Sequence, residues 1–334
     1  MKLKKFFAGV VAAAMMLTMG ATAAFAAEPT DMTTVTVKKN YVLAGAGSSA
    51  RETFTLQQTG KRVTDGDATE APDLGAITGA AFAEGAATAA GAEGSITIAL
   101  PTYEKVGVYE YTLQEVSNST AGVTYFGGTI KLVVSVVNAG NGTVRVAGVH
   151  TEGVGADGEK LAKSDTFVNT YSANSITISK TVEGNLGDKT KEFSFTIDFE
   201  KADGKNAPTG ITYTVNNETK TVTFDDNGKA TVEFTLKDGQ TLNFVNVPAG
   251  VKYTVAENDY TADGYTTTLN GADGNKAENQ TMTAAPASYA FENTKGGEID
   301  TGVILDNAPY IALLAIVAFG GVALVLNKRR RDEE

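Results

Sequence analysis

Apolar and polar positions alternate with a period of two along most of the chain, which predicts strands rather than helices. Val35, Val37 and Lys39 share one face of such a strand, as do Tyr111, Leu113 and Glu115, and as do Phe167 and Asn169. The three marks then return in the same order: Ile176, Ile178 and Lys180; Tyr253, Val255 and Glu257; Phe291 and Asn293. Between them, residues 130–137 and 143–149 flank an Asn-Gly turn, and residues 219–224 and 229–236 flank Asp225-Asp226-Asn227-Gly228. Both pairs are predicted to be hairpins, since Asn-Gly tolerates positive φ. Residues 67–94 are rich in Ala and Gly and predict loops around one short strand near 77–82. The pattern predicts an all-β chain with two tandem β-sandwich domains, residues 27–172 and 173–295.

The two ends read differently. Lys2, Lys4 and Lys5 precede an apolar stretch, and Ala24-Phe25-Ala26 supplies the small-x-small pattern of a secretory signal, so residues 1–26 are expected to be a signal peptide. Residues 303–326 form an apolar segment, uncharged from Tyr310 to Leu326, followed by a basic tail at 327–334. A single transmembrane helix is expected there, with Lys328 to Arg331 cytoplasmic and everything before Gly302 outside.

Composition adds two constraints. Without the expected signal and with a cut after Thr301, the 28 basic and 39 acidic side chains fall to 21 and 35, a strongly acidic balance that excludes nucleic acid as a partner. The chain has no cysteine, so disulfides do not staple these domains in an extracellular setting.

The repeated marks place a lysine, a glutamate and an asparagine on faces that otherwise point to the core. A binary pattern does not do this without a reason, because burying either charge costs several kcal/mol even when paired. Burial pushes a lysine toward the free amine, a nucleophile, and a glutamate toward the protonated acid, which can donate to the asparagine carbonyl. Amine attack with loss of ammonia leaves a Lys–Asn isopeptide bond, with Glu relaying protons and the fold supplying proximity.

Two resemblances follow from these residues. Glu298-Ile299-Asp300-Thr301-Gly302, the apolar span and the basic tail together resemble a Gram-positive cell-wall sorting signal, with Asp300 where the common form has proline. The resemblance implies that a sortase cuts between Thr301 and Gly302. The trios resemble those of the backbone pilins of sortase-assembled Gram-positive pili, in the subgroup with two immunoglobulin-like, isopeptide-containing domains. It implies cross-links of Lys39 to Asn169 through Glu115 and of Lys180 to Asn293 through Glu257. It also implies an inter-subunit lysine shortly before Asn169: Lys160 in Gly158-Glu159-Lys160-Leu161, with Lys163 as the alternative. Expected partners are a sortase, identical subunits, minor pilins, peptidoglycan and a host surface ligand. The expected location is the cell wall and pilus, the precursor being held in the plasma membrane. No cofactor is expected, and no enzyme activity beyond the single-turnover cross-links. A monomeric wall-anchored adhesin or minor tip or basal pilin is the alternative within this class, and a wall-anchored hydrolase the alternative outside it. His150 is the single histidine, too few for a His-based metal site or a Ser-His triad, and Asp65/Asp67 and Asp225/Asp226 fit turns better than a calcium loop.

Overall fold

A computed structural model describes residues 31–163 and 165–297. The expected signal peptide, sorting motif, transmembrane segment and basic tail lie outside these residues. Among the described residues the structure is all-β with one 3₁₀ turn, Thr261–Asp263, and no helix long and apolar enough to cross a membrane.

One strand organises the rest. Thr166–Glu183 runs unbroken for 18 residues and serves both halves of the molecule. Its first half pairs in parallel with Thr34–Gly45, and its second half pairs in parallel with Ala287–Thr294. Inward positions are odd-numbered from Phe167 to Ala173 and even-numbered from Asn174 to Val182, so the strand changes phase where its ladder with Thr241–Pro248 shifts register, between Asn174 and Ile176. A one-residue slip turns every later side chain to the other face, which lets one strand face two cores. The result is an eleven-stranded sheet common to both halves.

Each half adds a second layer. In the first, Lys160–Lys163, Thr143–Val154, Thr129–Gly140, Gly107–Glu115 and Leu56–Gly66 form a five-stranded sheet in that order. Val37, Tyr41 and Ile96 from the shared sheet and Tyr111, Leu113 and Leu132 from the five-stranded sheet make one core. In the second, Lys229–Leu236, Phe193–Glu200, Lys252–Glu257 and Lys276–Thr281 form a four-stranded sheet. Its Phe195, Ile197 and Val255 meet Ile176, Ile178 and Phe244 in a separate core.

Two turn regions can be compared with the sequence. Thr129–Gly140 and Thr143–Val154 pair antiparallel across Asn141 and Gly142, both at positive φ, as expected. The hairpin expected around residues 225–228 does not form. Glu218–Thr221 pairs instead with Thr212–Val215, through Asn216 and Asn217 at positive φ, while Lys229–Leu236 pairs with Phe193–Glu200 in the opposite sheet. The Asp225 carboxylate accepts from the N–H groups of Asn227 and Lys229, so the turn is tight, but it crosses between layers. Buried Val222, whose N–H goes to the Ile211 carbonyl, pulls the incoming segment inward before the turn. The Ala/Gly-rich segment carries Ile77–Thr78 and Ala80–Phe82, interrupted at Gly79, where a Cβ would stand 2.8 Å from the Phe54 carbonyl oxygen. Its small side chains let Ala71, Ala80 and Ala87 close over the first core.

The halves are also joined outside the shared strand. Asn246, at positive φ, accepts from the Ser48 N–H as well as from the Tyr171 hydroxyl of the shared strand itself. The Asn206 N–H donates to the Ser119 carbonyl, and the Lys205 ammonium donates to the Val123 carbonyl and lies 5.1 Å from the Tyr125 ring centroid.

Candidate functional site

The alternation on Thr34–Gly45 puts Val35, Val37, Lys39 and Tyr41 inside and leaves Lys38 exposed. On the partner strand Phe167 lies across from Lys39, and Asn169 is two positions further on. The second half repeats this arrangement, with Phe291 across from Lys180 and Asn293 two positions beyond. In a parallel pair such an offset sets the lysine and the asparagine on one face of neighbouring strands. The glutamate arrives from the opposite layer, Glu115 at the end of Gly107–Glu115 and Glu257 at the end of Lys252–Glu257.

The structure brings both sets together. Lys39 Nζ lies 3.1 Å from Glu115 Oε1, and Asn169 Nδ2 donates to the same oxygen at 2.9 Å. Lys180 Nζ lies 3.4 Å from Glu257 Oε1, which accepts from Asn293 Nδ2 at 3.1 Å. Lys39 and Asn293 are 0% exposed, Lys180 and Asn169 1%, and both carboxylates are fully enclosed.

Burial dominates the electrostatics. It pulls both ammonium groups below the usual lysine range, against the opposing pull of Glu115 on Lys39 and of Glu257 on Lys180. It pushes the Glu257 carboxyl up to about 7, although Lys180 and Asn293 draw it down. Asn169 Oδ1, Asn293 Oδ1 and Glu257 Oε2 are buried without a hydrogen-bond donor. An ionised carboxylate cannot supply one, whereas a protonated one can. The hydrogen bond seen at each glutamate differs from the expected one in direction, because it comes from the asparagine amide nitrogen and leaves the carbonyl oxygen free.

Other neighbours of the trios escape a reading by motif. The Lys39 amine lies 5.4 Å from the centroid of Phe54, and the Lys180 amine 4.5 Å from that of Phe193. Phe193 is legible as core from the Phe193, Phe195, Ile197, Phe199 alternation, but its place against the lysine is not. Phe54 sits in a three-residue strand with no periodicity to read. The Phe126 N–H donates to Glu115 Oε2, and the Lys180 ammonium donates to the Thr181 carbonyl. Tyr111 and Tyr253, at matching places in the repeat, each share a buried hydroxyl contact, Tyr111 with Tyr103 and Tyr253 with Tyr289.

Lys160 is exposed at the start of the edge strand Lys160–Lys163, its amine 4.0 Å from Glu152 Oε2. Lys163 ends that strand, and its side chain lies outside the described residues, as do Thr301 and Gly302. No group of three or more metal-ligating side chains occurs among the described residues.

Comparison with known proteins places this geometry. Residues 35–172 match the family described as a Spy0128-like isopeptide containing domain, and residues 174–295 match a domain family of unknown function. The chain is 32% identical over 243 residues to a protein named Pilin from Streptococcus pyogenes serotype M1, covering 68% of this chain and 69% of that one. The chain therefore belongs to the pilin family. It is also 41% identical over 133 residues to a pilus tip adhesin, Cpa, of S. pyogenes, covering 39% of this chain and 18% of the adhesin. In fold it is similar to the crystal structure of the major pilin from S. pyogenes, with a TM-score of 0.53 at 23% identity over 80% of this chain and all of that one.

Proposed function

We propose that this pilin is the backbone subunit of a covalently polymerised, wall-anchored pilus, built of two immunoglobulin-like domains that each close one internal isopeptide bond. The observation that supports this reading is the duplicated trio: lysine, glutamate and asparagine, buried and in contact, at the same register offset in both halves. In each, the free lysine amine attacks the asparagine Cγ. The new C–N bond forms as the bond to Nδ2 breaks, and the glutamate carries the proton lost by the attacking nitrogen to the departing one, which leaves as ammonia. The contact from each asparagine Nδ2 to the glutamate suits the delivery of that proton. A proton on Glu257 also eases a pocket that otherwise holds two acceptors without donors.

The bonds would join Lys39 to Asn169 and Lys180 to Asn293, each tying the first strand of a domain to its last. By analogy with disulfides that close loops of similar length, each contributes about 4–5 kcal/mol through the unfolded chain. A sortase would cut between Thr301 and Gly302 and pass the Thr301 carbonyl to a lysine on the next subunit. Lys160 suits this role because it is exposed on a strand edge; Lys163 is the alternative. Minor pilins and peptidoglycan complete the set of partners.

Similarity to a tip adhesin raises the second reading, an unpolymerised adhesin or minor pilin, although that similarity spans only 18% of the adhesin. A ladder of detergent-resistant high-mass species on the producing cell surface, lost with Lys160→Ala, supports the backbone role. A single species in both strains refutes it.

A further inference from the structure

We propose that the Lys39–Asn169 bond is a bypass: slack in the intact fibre, and load-bearing only after the backbone between the linking lysine and Asn169 has been cut. The proposal rests on the reading above, with Thr301 of one subunit joined to Lys160 of the next.

Tension in such a fibre enters each subunit at Lys160 and leaves at Thr301. Two covalent routes lead from Lys160 to Asn169. One is the backbone from residue 160 to residue 169. The other runs back along the chain from Lys160 to Lys39 and then crosses the isopeptide bond. The short route tightens first, so the long one stays slack. Both merge on Thr166–Glu183, which carries the load to Lys180. From Lys180 to Asn293 there are again two routes, but here the isopeptide bond is the short one and the backbone the long one. Two chemically alike bonds thus hold opposite mechanical positions. The second is a tie and the first is a reserve. Joining the fibre at Lys163 changes nothing, because Lys163 also lies inside the loop that Lys39 and Asn169 close.

The structure shows why a reserve is needed on that stretch. The short route begins in an open part of the first half, where residues 156–161 are exposed, Leu161 among them. Among the described residues Lys160–Lys163 pairs with one strand alone, through Val154 with Lys160 and Glu152 with Lys163. Exposed, weakly held segments are where proteases cut. The bypass, by contrast, closes between two side chains that are 0% and 1% exposed.

The test inserts a specific protease recognition sequence between Lys163 and Asp165 in the polymerising chain. Fibres are purified, cleaved and separated in denaturing detergent, with peptide mapping to show that the site is cut. The ladder is expected to survive cleavage unchanged, and to collapse to single-subunit pieces when the fibre carries Glu115→Ala or, as a second route to the same loss, Lys39→Met. Pulling on uncut fibres gives the complementary readout. Glu257→Ala should lengthen each subunit by on the order of 400 Å, the extended reach of the freed 180–293 loop, while Glu115→Ala should add nothing. Collapse of cleaved fibres that retain the first bond, or lengthening by Glu115→Ala, overturns the proposal. A fibre link mapped outside residues 39–169, or no ladder before cleavage, overturns the polymerisation reading itself and the bypass with it.

Discussion

Asn169 and Lys180 lie on one unbroken strand yet face different cores, because the inward phase of Thr166–Glu183 slips by one residue near Asn174. Asn169 is the amide side chain of one trio, and Lys180 is the amine of the other. The two candidate cross-links are therefore anchored in one continuous piece of backbone that is hydrogen-bonded into a sheet on both sides.

The joint beside this strand is sterically specified. Gly45 has φ of +94°, and a Cβ there would stand 2.2 Å from the Ala173 carbonyl oxygen. Gly45→Ala is expected to destabilise the protein by about 2–3 kcal/mol through positive-φ strain and displacement of the Ala46 N–H to Ala173 carbonyl hydrogen bond. Urea unfolding of the mutant beside the parent checks this. A change within ±0.5 kcal/mol contradicts the close approach.

The raised Glu257 carboxyl gives a signed pH dependence in a domain that cannot cross-link. Its folded-state pKa of about 7 lies above the ordinary carboxylate value, so the folded form binds the extra proton. That stability is fully present below the unfolded-state pKa and is lost as pH rises through about 7. In Asn293→Ala, the second half is expected to lose about 1–3 kcal/mol between pH 5 and pH 7.5. Lys180, depressed by burial, works in the opposite sense, adding stability as pH rises toward the ordinary lysine pKa. Unfolding midpoints at the two pH values decide the matter, and a higher midpoint at pH 7.5 contradicts the assignment.

The hydroxyl pair between Tyr253 and Tyr289, 2.9 Å apart in the second core, is expected to contribute about 1 kcal/mol. Tyr253→Phe leaves the Tyr289 hydroxyl buried without that partner and should lower the second half's stability by about that amount, while loss of ammonia from Asn293 proceeds. Chemical denaturation and intact mass on the same sample separate the two effects. Failure to cross-link would show that the tyrosine acts on the reaction rather than on packing.

Much of this was legible in the sequence because a strand's side-chain period is two. Parity and the pilin resemblance agree on Lys39 rather than Lys38, and the structure buries the first and exposes the second. The order of the three marks also located the switch between repeats near residues 171–175. Parity could not show that no linker lies there, since a one-residue phase slip inside a strand looks like a boundary between two strands. The turn at Asp225 to Gly228 was misread for a similar reason. Turn chemistry reports a reversal of direction, and a hairpin and a crossover between sheets both need one. What chose between them was the burial of Val222 and the pairing of Lys229–Leu236 with Phe193–Glu200, a contact distant in sequence. Phe54 and Phe193 were missed as neighbours of the lysines because ring placement is set by packing across layers, which no local pattern records.

The most direct measurement is the intact mass of a chain spanning residues 27–301, followed by peptide mapping. The account predicts a mass lower than the sequence mass by two ammonia molecules, with links mapped from Lys39 to Asn169 and from Lys180 to Asn293. Glu115→Ala and Glu257→Ala should each restore one ammonia, and Lys38→Ala should restore none. An unmodified mass in the parent chain, or links at other residues, contradicts it.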